Sequence, residues 1–451
     1  MEMNTSNNVL EKAVELLTLH PVCNQCLGRQ FAWLSTDSTN EERGRSIKLL
    51  LSMTADERVR TGEAKIQDTL MPRLANHGMY GPAISLCEEH GIDVDVSRNC
   101  YLCEVRNKSI FKQIPNIARR VLERVISYEF DTFLIGCVPN PTVSERQDEL
   151  RAKLNLLHAE ALKSDFNREL GKHLENLLEK KVEFENPDIV IIYEMTGDTF
   201  RLQVNPIFIY GRYRKLERGI PQSRWDCSSC NGKGCEECNE TGRRYPDSVS
   251  EYVSKPILKV AQGSKFKFHA AGREDVDALM LGSGRPFVVE ISEPKKRRIN
   301  LDEIESAINS RARGKVEVDS LEFTSREVMQ NLKSDASSNI KEYVAKIATE
   351  EEVSNDKLRR AETELRDIEI EQRTPHRVAH RRSDRIRKKR VHSVKLLKTD
   401  EHELRGDFVV QGGTYVKELI SGDEGRTTPS LSSLLGTKCT CLKLNVTAIR
   451  A

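Results

Sequence analysis

Residues 271–291 read Ala-Gly-Arg-Glu-Asp-Val-Asp-Ala-Leu-Met-Leu-Gly-Ser-Gly-Arg-Pro-Phe-Val-Val-Glu-Ile and carry more information than any other segment of the chain. Asp275 follows a glycine and an arginine, where the pattern predicts a tight loop. The apolar run 287–291 comes shortly after it and predicts a strand. Taken alone, an aspartate after Gly-Arg is more often a turn or capping residue, so its role depends on the rest of the sequence.

The 451 residues are too many for one hydrophobic core, and two or three domains are expected. Charged residues make up 31% and apolar residues 38% of the chain, which predicts a soluble protein. No apolar run approaches the roughly 18 residues of a membrane span. The first residues also lack the pattern of a secretory signal. We therefore expect a cytoplasmic protein with no membrane partner.

The formal net charge is only +2, but the charges are unevenly distributed. The segment 373–398 holds eleven lysines and arginines and one acidic residue, with three histidines between them. A second basic cluster occupies 295–298. Such patches supply phosphate contacts and favour an RNA-binding surface, although a solvated charged face can have the same composition.

Twelve cysteines in a chain expected to be cytoplasmic favour metal binding over disulfides, and eight of them form four Cys-x-x-Cys pairs. Cys227, Cys230, Cys235 and Cys238 form two adjacent pairs, with glycines between them that permit a sharp reversal. Tetrahedral thiolate coordination suits structural zinc, and a closed four-sulfur site leaves no position for a catalytic water. The alternative is a degenerate site that keeps reduced thiols.

The other two pairs are Cys23 with Cys26 and Cys100 with Cys103, far apart in the sequence. Two isolated pairs would have no evident use in a reducing compartment, so a second shared zinc is the favoured interpretation. The sequence therefore predicts one or two structural zinc ions.

Hydrophobic periodicity predicts an α+β protein with a mainly antiparallel sheet. The predicted helices are 9–20, 40–55, 110–128, 144–179 and 301–312. The predicted strands are 132–138, 188–193, 200–204, 257–260, 265–270, 287–291, 315–323, 340–348, 408–410, 413–419 and 442–446. Residues 331–338 are expected to form a loop.

The Gly-Arg-x-Asp core at 272–275 resembles the catalytic loop of pseudouridine synthases. Its longer form resembles the archaeal and eukaryotic tRNA pseudouridine synthase family that acts on uridines 54 and 55 of the T-loop. Residues 23–29, Cys-x-x-Cys-Leu-Gly-Arg, are similar to the zinc-bound motif of that family. The alternating elements that end in the basic segment 210–222 resemble an RNA-binding THUMP domain. The resemblance is strongest over 205–291 and 371–446.

This resemblance implies a mainly antiparallel catalytic domain at 250–451. It also implies an α/β accessory domain at 1–245, which would hold the zinc-binding cysteines and a THUMP-like region at about 85–212. The expected enzyme is an isomerase that needs no cofactor for catalysis. Its expected partner is tRNA, contacted at the T-arm and acceptor stem, and a monomer is favoured.

The family motif assigns the essential aspartate to Asp275, with Asp277 as the competing position. Arg273 resembles the residue that enters the RNA stack when the target base is flipped out. Val416 and Lys417 resemble the family strand that supplies a cation to the aspartate, which would keep a desolvated carboxylate ionised. An exposed strand lysine would fit the same pattern.

Tyr343, within Lys-Glu-Tyr-Val, resembles the aromatic residue that stacks on the target uracil, and Tyr415 competes for this role. Leu444 matches the last family strand and would support the tyrosine, although any buried strand leucine looks the same. The RNA-contacting residues implied by the resemblance are Tyr343, Val416, Lys417, Arg212, Arg214, Lys215, Arg377, Arg381 and Arg382.

Other classes of protein share parts of this pattern. THUMP domains also accompany RNA methyltransferases, thiouridine synthases and deaminases, but the glycine-rich loop, the Ser-Gly-Gly motif and the deaminase pairing of His-x-Glu with Cys-x-x-Cys are not found. A glycosidase using Asp275 and Glu290 would leave the basic segment unexplained. The main alternative is a non-catalytic zinc-containing tRNA binder or chaperone, in which Asp275 would be dispensable.

Overall fold

The computed structural model describes residues 8–35, 37–334 and 339–450, and Arg381 is described in its backbone only. The chain divides into two compact units, Met1–Asn205 and Pro206–Ala451. The predicted boundary at 245–250 is wrong, because the strand Ile207–Lys215 pairs with two strands of the second unit. Among the described helices, none is both long and apolar enough to cross a membrane.

The first unit combines helices with a small sheet. Its helices are α1 (Val9–Leu19), α2 (Asn24–Arg29), α3 (Asn40–Arg60), α4 (Met71–Asn76), α5 (Gly81–Glu89), α6 (Ile110–Val125), α7 (Pro141–Leu154) and α8 (Leu162–Leu178). Its strands are β1 (Glu104–Val105), β2 (Lys108–Ser109), β3 (Thr132–Val138), β4 (Lys181–Val182), β5 (Ile189–Glu194) and β6 (Thr199–Val204). The last four form one sheet in the order β4-β3-β5-β6, in which only β6 is antiparallel to its neighbour.

Two glycines bring α2 and α3 unusually close together. A Cβ atom on Gly28 would lie 1.9 Å from the Asn40 carbonyl oxygen, and one on Gly44 would lie 1.9 Å from the Asn24 carbonyl oxygen. A capping box at Thr39 and Glu42 fixes the start of α3. The close approach holds the first Cys-x-x-Cys pair against the core of this unit.

The second unit is built on one long sheet with helices on its faces. Its strands are β7 (Ile207–Lys215), β8 (Lys265–Ala270), β9 (Ala278–Ser292), β10 (Val316–Thr324), β11 (Ile340–Thr349), β12 (Ile368–Arg373), β13 (Ile386–Asp400), β14 (Glu403–Gln411), β15 (Thr427–Thr428) and β16 (Cys439–Arg450). Its helices are α9 (Val249–Ala261), α10 (Leu301–Ala312), α11 (Arg326–Ser334), α12 (Asn355–Glu364), α13 (Val416–Ser421) and α14 (Leu431–Leu435).

The strands of this sheet run in the order β10-β7-β9-β16-β11-β14-β13-β12-β15, with β8 also paired to β9. Every pairing is antiparallel except that of β9 with β16. The apolar run 287–291 belongs to β9, which lies inside the sheet between β7 and β16, and it is buried on both faces. The predicted α+β class with a mainly antiparallel sheet is therefore confirmed.

Four predicted elements are wrong. The predicted strand 257–260 belongs to α9, and the predicted strand 413–419 contains the short helix α13. The predicted helix 144–179 is interrupted at Asn155, which takes a left-handed conformation after α7. The predicted loop 331–338 begins inside α11, and its residues 335–338 lie outside the described part of the chain. Short apolar runs fit a strand and a buried helix equally well, and this explains the first two errors.

Candidate active site

A cavity of about 350 Å³ lies in the second unit beside the loop that joins β8 to β9. This loop carries Asp275, and the cavity is also lined by Arg273, Tyr343, Lys417 and Leu444. The five residues predicted to be catalytic therefore surround one cavity, although they come from four separate segments of the sequence.

A fully buried lysine holds the backbone of the Asp275 loop. The Lys215 ammonium donates hydrogen bonds to the carbonyl oxygens of Ile220, Asp275 and Val276, at 2.9, 3.0 and 3.1 Å. Burial lowers the pKa of Lys215 to about 8. The predicted contact between Lys215 and RNA is therefore wrong, because this side chain has no exposed surface.

A buried ion pair fixes the other side of the same loop. Arg285 lies 2.9 Å from Glu274 and donates a hydrogen bond of 2.7 Å to the Ala271 carbonyl oxygen. The Tyr213 hydroxyl donates to the Glu274 carboxylate at 2.8 Å and accepts from Gln222 at 2.8 Å. Burial and the neighbouring Glu274 carboxylate raise the pKa of Tyr213 well above its ordinary value. The loop that presents Asp275 is thus anchored on two sides by buried hydrogen bonds and a buried ion pair.

Two cations face the Asp275 carboxylate. Arg377 Nη1 donates to Asp275 Oδ1 at 2.9 Å, and its guanidinium also bonds the carboxylate of Glu418. Lys417 Nζ lies 3.6 Å from Asp275 Oδ2 but only 2.7 Å from Asp277 Oδ2. The sequence thus anticipated a cation beside Asp275, whereas the nearer cation is Arg377, which was expected to contact RNA.

Asp277, the competing carboxylate, differs from Asp275 in its surroundings. Its side chain is 68% exposed, compared with 30% for Asp275. Burial alone would raise the pKa of Asp277, but the hydrogen bond from Lys417 lowers it. The cavity is lined by Asp275 and not by Asp277, so the geometry favours Asp275 as the reactive group.

Tyr343 and Leu444 are brought to the cavity by the pairing of β11 with β16. Tyr343 lies opposite Val446 on β16, and Leu444 lies opposite Ala345 on one side and Ala278 on the other. Burial raises the pKa of Tyr343 and keeps its hydroxyl protonated at neutral pH. An aromatic face at the wall of the cavity is suited to stacking on a nucleobase.

Arg273 is exposed at the rim of the cavity, with its guanidinium 5.3 Å from the centre of the Trp225 ring. Trp225 also lines the cavity. The sequence prediction did not include this tryptophan, because it lies far from the catalytic motif and next to the cysteine segment. The only indication in the sequence that Trp225 contributes to the site was its nearness to the basic segment 210–222.

The remaining predicted RNA-contacting residues fall into two groups. Val416 and Arg382 line the cavity, and Arg382 donates to the Tyr415 hydroxyl at 2.9 Å. Arg212 and Arg214 lie on the outer face of β7, where Arg214 is paired with Glu317 and Asp319 and Arg212 bonds the Ser283 carbonyl oxygen. The side chain of Arg381 lies outside the described part of the structure.

Two clusters of four cysteines can each hold a metal ion. Cys23, Cys26, Cys100 and Cys103 meet in the first unit, and Cys227, Cys230, Cys235 and Cys238 meet in the second, with all sulfur atoms of a cluster within 4.8 Å of one another. The sulfur–sulfur distance is 3.8 Å between Cys23 and Cys103 in the first cluster. In the second cluster it is 3.9 Å for Cys227–Cys235 and Cys230–Cys238 and 3.6 Å for Cys235–Cys238. A tetrahedral ion with bonds of about 2.3 Å to sulfur requires spacings of about 3.8 Å.

Backbone N–H groups support this interpretation of the second cluster. Those of Gly234 and Gly242 point at Cys230 Sγ and Cys238 Sγ, both at 3.2 Å, as expected around thiolate ligands. The four remaining cysteines lie outside both clusters, and Cys87, Cys137 and Cys439 are buried. The cluster at 227–238 belongs to the second unit, so its predicted place in the accessory domain is wrong.

Comparisons with known proteins identify the class of this enzyme. A family model described as Pus10, C-terminal, matches residues 208–450, and the model of the archaeal Pus10 THUMP domain matches 117–194. The second match lies inside the predicted THUMP-like region. The enzyme is therefore a pseudouridine synthase, an isomerase with a THUMP domain in its first unit.

Curated relatives identify the family. The chain is 38% identical over 98% of its length to the tRNA pseudouridine synthase Pus10 of Methanothrix thermoacetophila, covering 94% of that protein. It is 40% identical over 96% of its length to the Pus10 of Methanocaldococcus jannaschii, covering 93% of that protein. The chain belongs to the Pus10 family, and the resemblance predicted from the sequence is confirmed.

Proposed function

We propose that this enzyme converts uridines 54 and 55 in the T-loop of tRNA to pseudouridine, with Asp275 as the essential carboxylate. The observation that carries this proposal is the position of Asp275 at the cavity, 2.9 Å from Arg377, with Tyr343 lining the same cavity. The names of its relatives support tRNA as the substrate. The enzyme acts as a monomer on the T-arm and acceptor stem.

The reaction requires the target uridine to leave the RNA stack, because its glycosidic bond is otherwise inaccessible. Arg273 stands at the rim of the cavity and fills the gap that the flipped base leaves behind. Tyr343 then stacks on the uracil, and Leu444 supports the tyrosine from the neighbouring strand. These contacts fix the sugar in front of Asp275.

The chemistry is an isomerisation in which no atoms are gained or lost overall. The bond between N1 of uracil and C1′ of the sugar breaks, the uracil turns, and C5 bonds to C1′. The C5 proton is lost, and N1 gains a proton. Arg377 and Lys417 keep the Asp275 carboxylate ionised and oriented, whether it attacks the sugar or removes a sugar proton. No cofactor is needed for these steps.

The RNA backbone lies along the basic segment 373–398, of which Arg377 and Arg382 line the cavity. Arg382 is exposed beside Tyr415, and Lys388 and Arg390 project from β13. Phosphate contacts from such side chains provide affinity that falls with rising salt concentration. The basic segment predicted from 373–398 is thus assigned to tRNA binding.

A mapping experiment tests the proposed target. The purified full-length protein is incubated with an unmodified tRNA transcript, and pseudouridine is located at single-nucleotide resolution. We expect product at positions 54 and 55. Transcripts with cytidine at one of the two positions should be modified only at the other, and replacement of both should abolish product. Efficient modification outside the T-loop would contradict the proposal.

We further propose that both cysteine clusters hold structural zinc. Metal analysis of the full-length protein by mass spectrometry is expected to find about two zinc ions per chain. Cys230→Ser and Cys100→Ser should each remove about one ion, because each variant loses one ligand of a different cluster. Cys87→Ser is the matched control, since Cys87 is a buried cysteine outside both clusters. One ion in the unaltered protein would show that one cluster stays empty.

A further inference from the structure

The second unit contains a buried lysine that has no partner among the residues that the structure describes. Lys341 is only 5% exposed and lines the cavity beside Asp275. The other two buried lysines, Lys48 and Lys215, each donate hydrogen bonds to three oxygen atoms. Within the described residues, the Lys341 ammonium forms no hydrogen bond and no ion pair. An ammonium that lines a cavity without a protein acceptor is a donor available to whatever fills that cavity, so an acceptor supplied by a ligand is expected at this point.

The backbone beside Lys341 leaves room for its ammonium. A Cβ atom on Gly272, which has a φ of +85°, would lie 2.7 Å from Lys341 Nζ and 3.1 Å from Arg285 Nη1. Arg285 is already paired with Glu274 and donates to the Ala271 carbonyl oxygen. The nearby Glu274 carboxylate is therefore occupied by Arg285 and Tyr213, and Lys341 is a buried lysine at the cavity whose ammonium has no acceptor among the described residues.

The position of Lys341 relative to Tyr343 indicates which acceptor it meets. The two residues are separated by one position on β11, so their side chains share a face and lie about 7 Å apart along the strand. A pyrimidine stacked on Tyr343 therefore extends towards the Lys341 ammonium. The edge of a uracil ring carries two carbonyl oxygens, which accept hydrogen bonds.

We propose that Lys341 donates a hydrogen bond to a carbonyl oxygen of the flipped uracil and stabilises the negative charge that develops on this base. This inference rests on the proposed function, because it requires a uracil stacked on Tyr343. When the bond from N1 to C1′ breaks, its electron pair stays on the uracil and is shared between N1 and the carbonyl oxygens. The pair returns when the bond from C5 to C1′ forms, and the ammonium keeps its proton throughout.

The test replaces Lys341 with methionine, which keeps the length of the side chain and removes its charge. The single-turnover rate of the Lys341→Met variant at saturating enzyme is expected to fall about 100-fold, as for the loss of one preorganised charge donor. The Kd for tRNA should change less than about threefold. Lys346→Met is the matched control, because Lys346 is on the same strand but is 45% exposed and paired with Glu403. It should retain the rate of the unaltered enzyme.

A second substrate separates charge stabilisation from a structural role. In a transcript containing 5-fluorouridine, the fluorine stabilises the departing uracil anion, so consumption of the base should be slowed less by Lys341→Met than consumption of uridine. A deficit of equal size on both substrates would overturn the inference. So would an effect on Kd alone, which would indicate a phosphate contact. If the unaltered protein forms no pseudouridine in tRNA, the proposed function fails before Lys341 is tested.

Discussion

Asp275→Asn is expected to reduce pseudouridine formation by about 10⁴-fold or more, the scale seen when an enzyme loses its reacting side chain. Asparagine has nearly the same size as aspartate but carries no charge, and it can neither attack the sugar nor accept a proton from it. The Arg377 contact at 2.9 Å would lose its ion-pair character. The measurement is the single-turnover yield of pseudouridine with excess enzyme on a T-loop transcript.

The affinity of the variant for tRNA distinguishes a defect in the chemical step from a defect in folding. The Kd of Asp275→Asn for tRNA should stay within about threefold of that of the unaltered enzyme, because phosphate contacts supply most of the affinity. Removing a carboxylate from a surface that faces RNA can even strengthen binding. A variant that still formed product at a normal rate would show that another group does the chemistry.

Asp277→Asn provides the matched control. Asp277 is two residues from Asp275, is 68% exposed and is held by Lys417 at 2.7 Å. An exposed ion pair contributes at most about 1 kcal/mol, so we expect less than a tenfold change in rate. If this variant lost activity and Asp275→Asn did not, the assignment of the motif would be off by two residues.

The sheet of the second unit could be predicted from the sequence wherever one face is buried and periodicity is clear. The helix 301–312 and the strands around 265–270, 315–323 and 340–348 all appear close to their predicted bounds. The Asp275 loop could be predicted because its Gly-Arg-x-Asp motif is local. Each of these features depends on residues that are neighbours along the chain.

The environment of Asp275 depends on residues that are distant along the chain. The roles of these residues were predicted less well, because local sequence does not show which of them meet in the fold. Arg377 comes from the basic segment, and nothing in its local sequence distinguishes it from the arginines around it. Lys215 was taken for a surface cation, although its alternation with Tyr213 on β7 places both side chains on the buried face. The same alternation places Lys341 and Tyr343 on one face of β11, and this could also have been inferred from the sequence.

The error at 413–419 has a physical cause as well. The segment has the apolar spacing of a short strand, but Gly413 takes a positive φ of 86° and breaks the extended conformation before α13 begins. A helix of six residues is too short to show a helical period. Lys417 therefore reaches the cavity from a helix, and this places its ammonium nearer to Asp277 than to Asp275.

The second large effect is expected from breaking the buried pair of Arg285 and Glu274. Arg285→Met should lower the free energy of unfolding of the second unit by about 3–5 kcal/mol, because it leaves the Glu274 carboxylate buried without its cation. Both side chains of the pair are almost completely buried, at 1% and 0% exposure. Burial alone would lower the pKa of Arg285, but the neighbouring Glu274 carboxylate raises it above its ordinary value.

The measurement can be confined to the second unit. The chain has two tryptophans, Trp33 in the first unit and Trp225 in the second, so a Trp33→Phe background leaves Trp225 as the only tryptophan reporter during urea unfolding. Arg390→Met is the control, because Arg390 forms an exposed pair with Asp367 and should change stability by less than about 1 kcal/mol. A similarly small effect of Arg285→Met would mean that the carboxylate gains another partner.

A double variant distinguishes the effect of the ion pair on stability from its effect on the geometry of the active site. Adding Glu274→Gln to Arg285→Met removes the stranded charge, and it should restore most of the lost stability, because a neutral amide costs less to bury than a carboxylate. Activity should not recover with it. The Asp275 loop would keep the Lys215 contacts but lose the Arg285 hydrogen bond to Ala271, and a small displacement of the carboxylate is enough to slow the reaction strongly. Recovery of both stability and activity would show that the pair contributes to folding alone.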